Sequence, residues 1–345
     1  MKRKIRLLLT MGFGLLAAVA IAIQSLSNNG IPFEAAHRMA VNSTNAAWME
    51  DHLPAWGGRK LSQLVLPASH DAGLYQGGPL GWGQTQCLSI YDQLRVGVRW
   101  FDLRPKWVRQ KFVIYHGPIA GPDLAEVLAD LRKFASQEHH ELIYLKLSHF
   151  EGIDDATYVQ LTALLEDQLS PWVFTGVSPA KRLADITLSE YVQSGTKIIV
   201  LVDGRYARDH PAKGIWTYSD VDDPQVRLAD LRVYDIYSDT PDFNDMQADQ
   251  FAKFARYDGK CRDGATDCDL FLLSWTLTPR IKIWAATQPA IEHLRPSLLA
   301  RPPTNSAGKV MNLIYADFAG LQDVTGVALE ENERLSFGQS DQRVN

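Results

Sequence analysis

The sequence predicts an α/β fold, a distorted (β/α)8 barrel of the TIM type over residues 45–325. Three observations predict it. Eight short apolar runs, rich in β-branched and aromatic residues, recur along the chain. Stretches with helical periodicity lie between several of them, which makes neighbouring strands parallel. Eight strands spread over roughly 280 residues also suit the size of a closed barrel.

The runs are LVLP (64–67), GVRWFDLR (97–104), FVIYH (112–116), LIYLKL (142–147), KIIVLVD (197–203), LRVYDIY (231–237), LFLLSW (270–275) and MNLIYADF (311–318). The interval between the second and third is too short for a helical crossover, so the barrel is expected to be irregular there. After the third run, Leu124, Val127, Leu128, Leu131 and Phe134 fall on one helical face. After the fourth, Val159, Leu161, Leu164, Leu165 and Leu169 repeat the pattern. Segments 246–257 and 289–300 do so more weakly. Residues 204–230 read as a long loop of polar and aromatic residues, the kind of segment that often carries function.

The ends of the chain read differently. Lys2, Arg3, Lys4 and Arg6 precede an apolar run from Leu7 to Ile23, and Ala20-Ile21-Ala22 supplies small residues for cleavage. Residues 1–22 are therefore expected to be a secretory signal peptide, and the protein to be secreted or periplasmic. An uncleaved membrane anchor is the alternative. Residues 23–44 read as an N-terminal linker and 326–345 as a C-terminal tail. Cys261 and Cys268 bracket a short polar loop and are expected to pair in an oxidising compartment, leaving Cys87 buried and inert. Three cysteines without a CxxC pair speak against a zinc–thiolate centre.

Four of the 35 basic residues lie in the leader, which leaves 31 against 40 acidic ones, a net charge of about −9. That balance argues against a nucleic-acid or polybasic lipid-binding surface and leaves room for a local basic pocket.

In a parallel barrel, catalytic groups stand at the C-terminal ends of the strands. His70 and Asp71 follow the first run. Asp102 and Arg104 alternate on the second and face one side. His116 ends the third. Lys146, Asp203 and Trp275 lie on the fourth, fifth and seventh, and Asp317 on the last. Taken singly, each of these residues is an ordinary cap or ion pair. Together they form a titratable rim with the composition of an active site. His139 and His140 read as solvated. His37, His52, His149, His210 and His293 have no comparable partners in sequence. Two imidazoles flanking a guanidinium suit phosphodiester cleavage: one removes a proton from the attacking hydroxyl and the other protonates the leaving oxygen. The fixed cation steadies the phosphate, and no metal or other cofactor is needed.

These residues lie in stretches that resemble the X-domain of phosphatidylinositol-specific phospholipase C, in particular its secreted bacterial form. The stretches are NAAWMEDHLP (45–54), LSQLVLPASHDAG (61–73), YDQLRVGVRWFDLRP (91–105), FVIYHGP (112–118), LIYLKLSH (142–149) and MNLIYADFAG (311–320). The resemblance implies that His70 is the general base, supported by Asp317. It implies that His116 is the general acid, oriented by Asp102, and that Arg104 binds phosphate beside Asp71. It puts Lys146, Asp203, Arg205 and Trp275 in contact with the head group. Calcium-dependent members carry an E-x-D pattern where this chain has Asp102-Leu103-Arg104, so the resemblance is to the metal-independent branch. Ala68 and Ser69 replace the more usual Gly and Thr before the His-Asp pair.

The expected activity is therefore cleavage of a phosphatidylinositol-like phosphodiester, lipid or soluble, by a monomer that touches a membrane surface transiently. Two rival readings are a metal-assisted glycerophosphodiester phosphodiesterase and a catalytically silent barrel that only binds. The first should show His-Arg after the first strand and E-x-D on the second, and both are missing. The paired histidines with their carboxylates speak against the second.

Overall fold

The computed structural model of the chain describes residues 33–78, 81–137, 139–203, 213–219, 229–261, 266–280 and 283–340. The expected leader, residues 1–22, lies outside them. The described strands are Leu66–Ser69 (β1), Trp100–Leu103 (β2), Pro105–Val108 (β3), Lys111–His116 (β4), Ile119–Asp123 (β5), Leu142–Leu147 (β6), Lys197–Asp203 (β7), Ile215–Ser219 (β8), Leu231–Asp235 (β9), Leu270–Trp275 (β10) and Leu313–Ala316 (β11). Eight of them close a parallel barrel in the order β1-β11-β10-β9-β8-β7-β6-β2. The predicted (β/α)8 class is the observed one.

One predicted barrel strand is not in the barrel. FVIYH is β4, the centre of a separate antiparallel sheet β3-β4-β5. The cause is local. Arg109 and Gln110 between β3 and β4 both have positive φ, 50° and 61°, the geometry of a tight two-residue hairpin turn. A hairpin reverses the chain and cannot add a parallel strand. The vacant barrel place is taken by β8, which comes from inside the predicted loop 204–230 and pairs with β7 and β9. Only five residues long, with Trp216 and Thr217 between its buried positions, it carries too little apolar pattern to be read as a strand.

The helices are Phe33–Asn42 (α1), Trp48–Trp56 (α2), Ile90–Arg95 (α3), Leu124–Ala135 (α4), Asp155–Leu169 (α5), Leu188–Val192 (α6), Phe243–Arg256 (α7), Ile283–Leu299 (α8) and Val324–Ser340 (α9). In α4 all five predicted face residues are fully buried. In α5 Leu161, Leu165 and Leu169 are buried, but Val159 faces solvent. Asp154 caps α5 by accepting from the Thr157 amide, satisfying one otherwise orphaned donor.

The predicted linker and tail are corrected. Part of the linker is α1, whose Ala36 and Ala40 are buried. Most of the tail is α9, which packs on β1 and α8. Asn332 holds it there, accepting from the Val65 amide and donating to the Val65 carbonyl at 3.0 and 2.8 Å. Charged residues such as Glu330, Glu331, Glu333 and Arg334 mask the apolar positions Val324, Val327 and Ala328 in the sequence.

Strand alternation divides the apolar residues into two cores. Leu66, Trp100, Tyr144, Leu201, Leu272 and Leu313 belong to the set filling the barrel interior. Val200, Phe271, Leu273 and Ile314 belong to the set packed against the helices. Trp100 stacks on Tyr144 with ring centroids 5.2 Å apart. Trp100→Ala would empty this interior and cost about 3–5 kcal/mol. At the barrel's N-terminal end Cys261 and Cys268 form a disulfide, as expected, just before β10. The Cys87 thiol is free and buried, and burial pushes it up to about 12. Among the described residues no helix is long and apolar enough to cross a membrane.

Candidate active site

The inward register of the strands continues past the apolar layers into charge. Leu66 and Ala68 lead to His70, Trp100 to Asp102, Tyr144 to Lys146, Leu201 to Asp203, Val233 to Asp235 and Tyr315 to Asp317. Water-facing ends of a filled barrel are where such groups can be held without burying them in hydrocarbon.

Asp71 is the hub. Its backbone sits in the left-handed region at φ 40°, a conformation that Asp tolerates better than most residues. The turn is fixed by the Thr85 hydroxyl, which donates to the Asp71 carbonyl at 2.9 Å, and by the Ala72 amide, which donates to the Asp102 backbone carbonyl at 2.8 Å. The Asp71 carboxylate thereby points among three basic side chains. Its Oδ2 lies 3.2 Å from His70 Nε2 and 3.8 Å from His116 Nε2, and its Oδ1 lies 2.8 Å from Arg104 Nε.

His70 is held from its other side by Asp317, Nδ1 to Oδ1 at 2.7 Å. Burial disfavours the imidazolium, but Asp71 and Asp317 outweigh it and raise His70 to about 9. Burial in turn raises the Asp317 carboxyl, against the pull of His70. His116 differs. It is 43% exposed on the hairpin, and partial burial lowers its pKa, opposed by Asp71 and reinforced by Arg104 and His70. Near neutral pH the proton therefore sits on His70 rather than on His116. Burial works against the charge on Arg104, but Asp71 and Asp102 raise it further, so it stays a fixed cation.

Asp102 does not orient His116, contrary to the expectation. It lies deeper, on an inward position of β2, while His116 stands above on the hairpin. The carboxylate facing His116 is Asp71. Asp102 accepts from the Tyr315 hydroxyl at 2.6 Å and lies 3.5 Å from Lys146 Nζ and 3.6 Å from Arg104 Nη2. Burial would raise its carboxyl, yet Lys146 and Arg104 hold it well below the usual carboxylate range.

The head-group candidates divide. Lys146 belongs to the site: Nζ is 3.2 Å from Asp235 and stands over the Tyr218 ring. Asp203 is buried at the end of β7, on the inward side. Trp275 does not belong. Its indole faces outward, packs against Phe243 and Phe251, and donates to the Ala290 carbonyl at 2.9 Å. On β10 the inward residues are Leu270, Leu272 and Ser274, so the sequence reading took the wrong parity. Arg205 lies outside the described residues.

Sequence reasoning missed Asp235, Tyr218 and Tyr315. Tyr218 donates to Asp235 at 2.9 Å and completes the seat of Lys146. The signal was available for two of them. Asp235 alternates with Leu231 and Val233, and Tyr315 with Leu313 and Asp317. His149, dismissed as unpartnered, touches Ser148 and lies within electrostatic range of Arg104, Asp102 and Lys146.

His70, Asp71 and Asp102 offer ligand atoms within 4.8 Å of one another, close enough to clasp a cation. Arg104 already bridges the two carboxylates from within 3.6 Å, and Lys146 adds a second positive charge at Asp102.

No protein-family model matches the chain. It is 28% identical over 174 residues to a PI-PLC X-box domain-containing protein of Dictyostelium discoideum, a match covering 45% of this chain and 23% of that protein. It is 22% identical over 328 residues to PI-PLC X domain-containing protein 2 of Mus musculus, covering 84% of this chain and 88% of the relative. In fold it is similar to the phosphatidylinositol-specific phospholipase C of Listeria monocytogenes, with a TM-score of 0.57 at 19% identity over 83% of this chain and 98% of that one. The curated relatives are PI-PLC X-domain proteins and the solved structures of like fold are bacterial phosphatidylinositol-specific phospholipases C, which supports the expected resemblance of the chain to that family.

Proposed function

We propose that the protein is an exported, metal-independent phosphodiesterase that cleaves a phosphatidylinositol-like substrate in two steps. The observation that carries this reading is Asp71, whose single carboxylate lies within 3.8 Å of both imidazoles and of Arg104. Around it stand a proton acceptor, a proton donor and a phosphate-binding fork.

In the first step a hydroxyl beside the phosphate attacks phosphorus. His70 Nε2 takes the hydroxyl proton, and Asp317 steadies the imidazolium that results. The bond from phosphorus to the leaving alcohol breaks, and His116 gives that oxygen its proton. Arg104 neutralises charge on the non-bridging oxygens. The product is a cyclic phosphodiester. In the second step the roles reverse, and water opens the ring. Phosphate bound at Arg104 brings negative charge toward His116 and favours its protonated form. Lys146 and Asp235 present one donor and one acceptor to the hydroxyls of a polyol. The basic–apolar leader and the Cys261–Cys268 bridge support export.

The test is a head-group panel combined with two substitutions. Phosphatidylinositol should be cleaved with release of a cyclic phosphate, and phosphatidylcholine and glycerophosphodiesters left intact. His70→Ala and His116→Ala should each lower the rate on the order of 10²–10⁴-fold. With a nitrophenyl leaving group, which needs no proton, His116→Ala should recover most activity and His70→Ala should not. Equal sensitivity of that substrate to both changes would overturn the assignment of acid and base.

A further inference from the structure

His70, Asp71, Arg104 and Asp317 directly follow the ends of barrel strands β1, β2 and β11, whereas the proposed acid stands on the separate antiparallel sheet. His116 ends β4 in the antiparallel sheet, so its distance from phosphate depends on how the hairpin is fastened to the barrel. Fastenings on β3 include the Lys106–Glu151 ion pair and two backbone hydrogen bonds. The Trp107 amide donates to the Glu151 carbonyl at 2.9 Å, and the Glu151 amide donates to Pro105 at 3.3 Å. Two more lie on Tyr115, beside His116, and in the first its amide donates to the Arg104 carbonyl at 3.0 Å. In the second, the hydroxyl of Tyr115 donates to the backbone carbonyl of His149 at 2.6 Å.

His149 is built to present that carbonyl. Its φ is 53°, in the left-handed region that His enters more readily than most residues with a Cβ but still at a cost. Its ring helps to hold it there, with Nδ1 3.0 Å from Ser148 Oγ. Ser148 Oγ in turn donates to Asp102 Oδ1 at 3.4 Å. With the Ser148 proton directed to Asp102, Ser148 Oγ is the acceptor and His149 Nδ1 the donor. A chain of contacts thus runs from Asp102 through Ser148 and His149 to Tyr115, the residue before His116. Asp102 does not touch His116, yet it sits at the root of what holds the hairpin down.

We infer that Tyr115 and His149 form a latch that positions His116 over the barrel rim, making Tyr115 a positioning residue for proton delivery to the leaving group. The inference rests on the reading of His116 as the acid. A displaced acid costs rate only where the leaving oxygen needs a proton, so the latch should discriminate between leaving groups as His116 itself does.

Tyr115→Phe removes one hydroxyl and keeps the ring, and it can be made in the full mature chain. Cleavage with an alkyl leaving group should fall on the order of 10-fold to 100-fold, the scale of a misplaced catalytic group. The nitrophenyl substrate should be nearly unaffected, and the change should add nothing to the alkyl-substrate loss of His116→Ala. A second readout does not depend on catalysis. In a proton NMR titration, the His116 imidazole of Tyr115→Phe should move from its lowered position toward 6.5, the value of a free imidazole, as the hairpin loosens. Equal loss on both substrates, additivity with His116→Ala, or an unmoved His116 titration would each overturn the latch. If His116→Ala itself slowed both substrates equally, the acid assignment would fall, while the titration would still decide whether Tyr115 holds His116.

Discussion

His70 and Asp317 meet Nδ1 to Oδ1 at 2.7 Å, although 247 positions separate them in the chain. They come together because β1 and β11 pair in parallel, residue 66 against 313 through 69 against 316. The first and last strands close the barrel, and the dyad stands on the seam. Asp317 is thus one of the two carboxylates that keep His70 charged until about pH 9.

A two-sided pH profile follows. The active form has His70 neutral and His116 protonated. Between the lowered pKa of His116 and the raised one of His70, the product of those two fractions is constant. The kcat/KM profile should therefore be flat in the middle, fall below the His116 pKa, and fall again above about 9. Asp317→Asn should pull the upper limb down toward 6.5, the ordinary value of histidine. An upper limb unmoved in that variant would remove His70 from the role. The same shift has a stability side. His70 is raised in the fold, so the stability it contributes is full below 6.5 and is lost as pH rises through about 9.

Chelation should leave activity intact, because Arg104 and Lys146 supply the positive charge at Asp71 and Asp102. Abolition by EDTA with rescue by calcium is the outcome that would defeat the arginine-based mechanism.

Lys146→Met and Trp275→Phe should separate binding from packing. The first removes the cation seated on Asp235 and Tyr218, so it should raise KM for a polyol head group at least tenfold. It also weakens the charge balance at Asp102. The second trims a buried indole that faces the helices. It should lower the melting temperature and leave head-group preference unchanged, and Trp275→Ala should cost about 3–5 kcal/mol of stability. A change of head-group preference in Trp275→Phe, seen in the substrate panel, would contradict the outward packing.

Reduction of the Cys261–Cys268 bridge should loosen the segment ahead of β10 and spare catalysis. The bridge closes a loop of seven positions at the opposite end of the barrel from His70 and contributes at most about 2–3 kcal/mol in the chain-entropy model. Hydrogen exchange should quicken over residues 257–269 while the rate of cleavage holds. Parallel loss of both would show that the bridge supports the whole barrel.

The sequence alone determined the fold class, most strands, the principal helices and the composition of the rim. It could do so because these depend on local pattern. Periodicity marks Leu124 to Phe134 as a helix face, strand ends mark His70 and Asp102, and a tight spacing marks the disulfide. What it left open depends on which distant segments meet. Whether FVIYH entered the barrel was decided by the turn at Arg109 and Gln110, and the place of β8 by its neighbours β7 and β9 rather than by its own short pattern. A shift of one position along a strand exchanges interior for exterior, and so Trp275 was misplaced and Asp235 overlooked. The partner of His116 was decided only by tertiary structure. The backbone of Asp71 turns into the left-handed region and carries its carboxylate between both histidines and Arg104, while Asp102, two residues from Arg104 in sequence, is drawn down to Tyr315 and Lys146 by the pleat of β2.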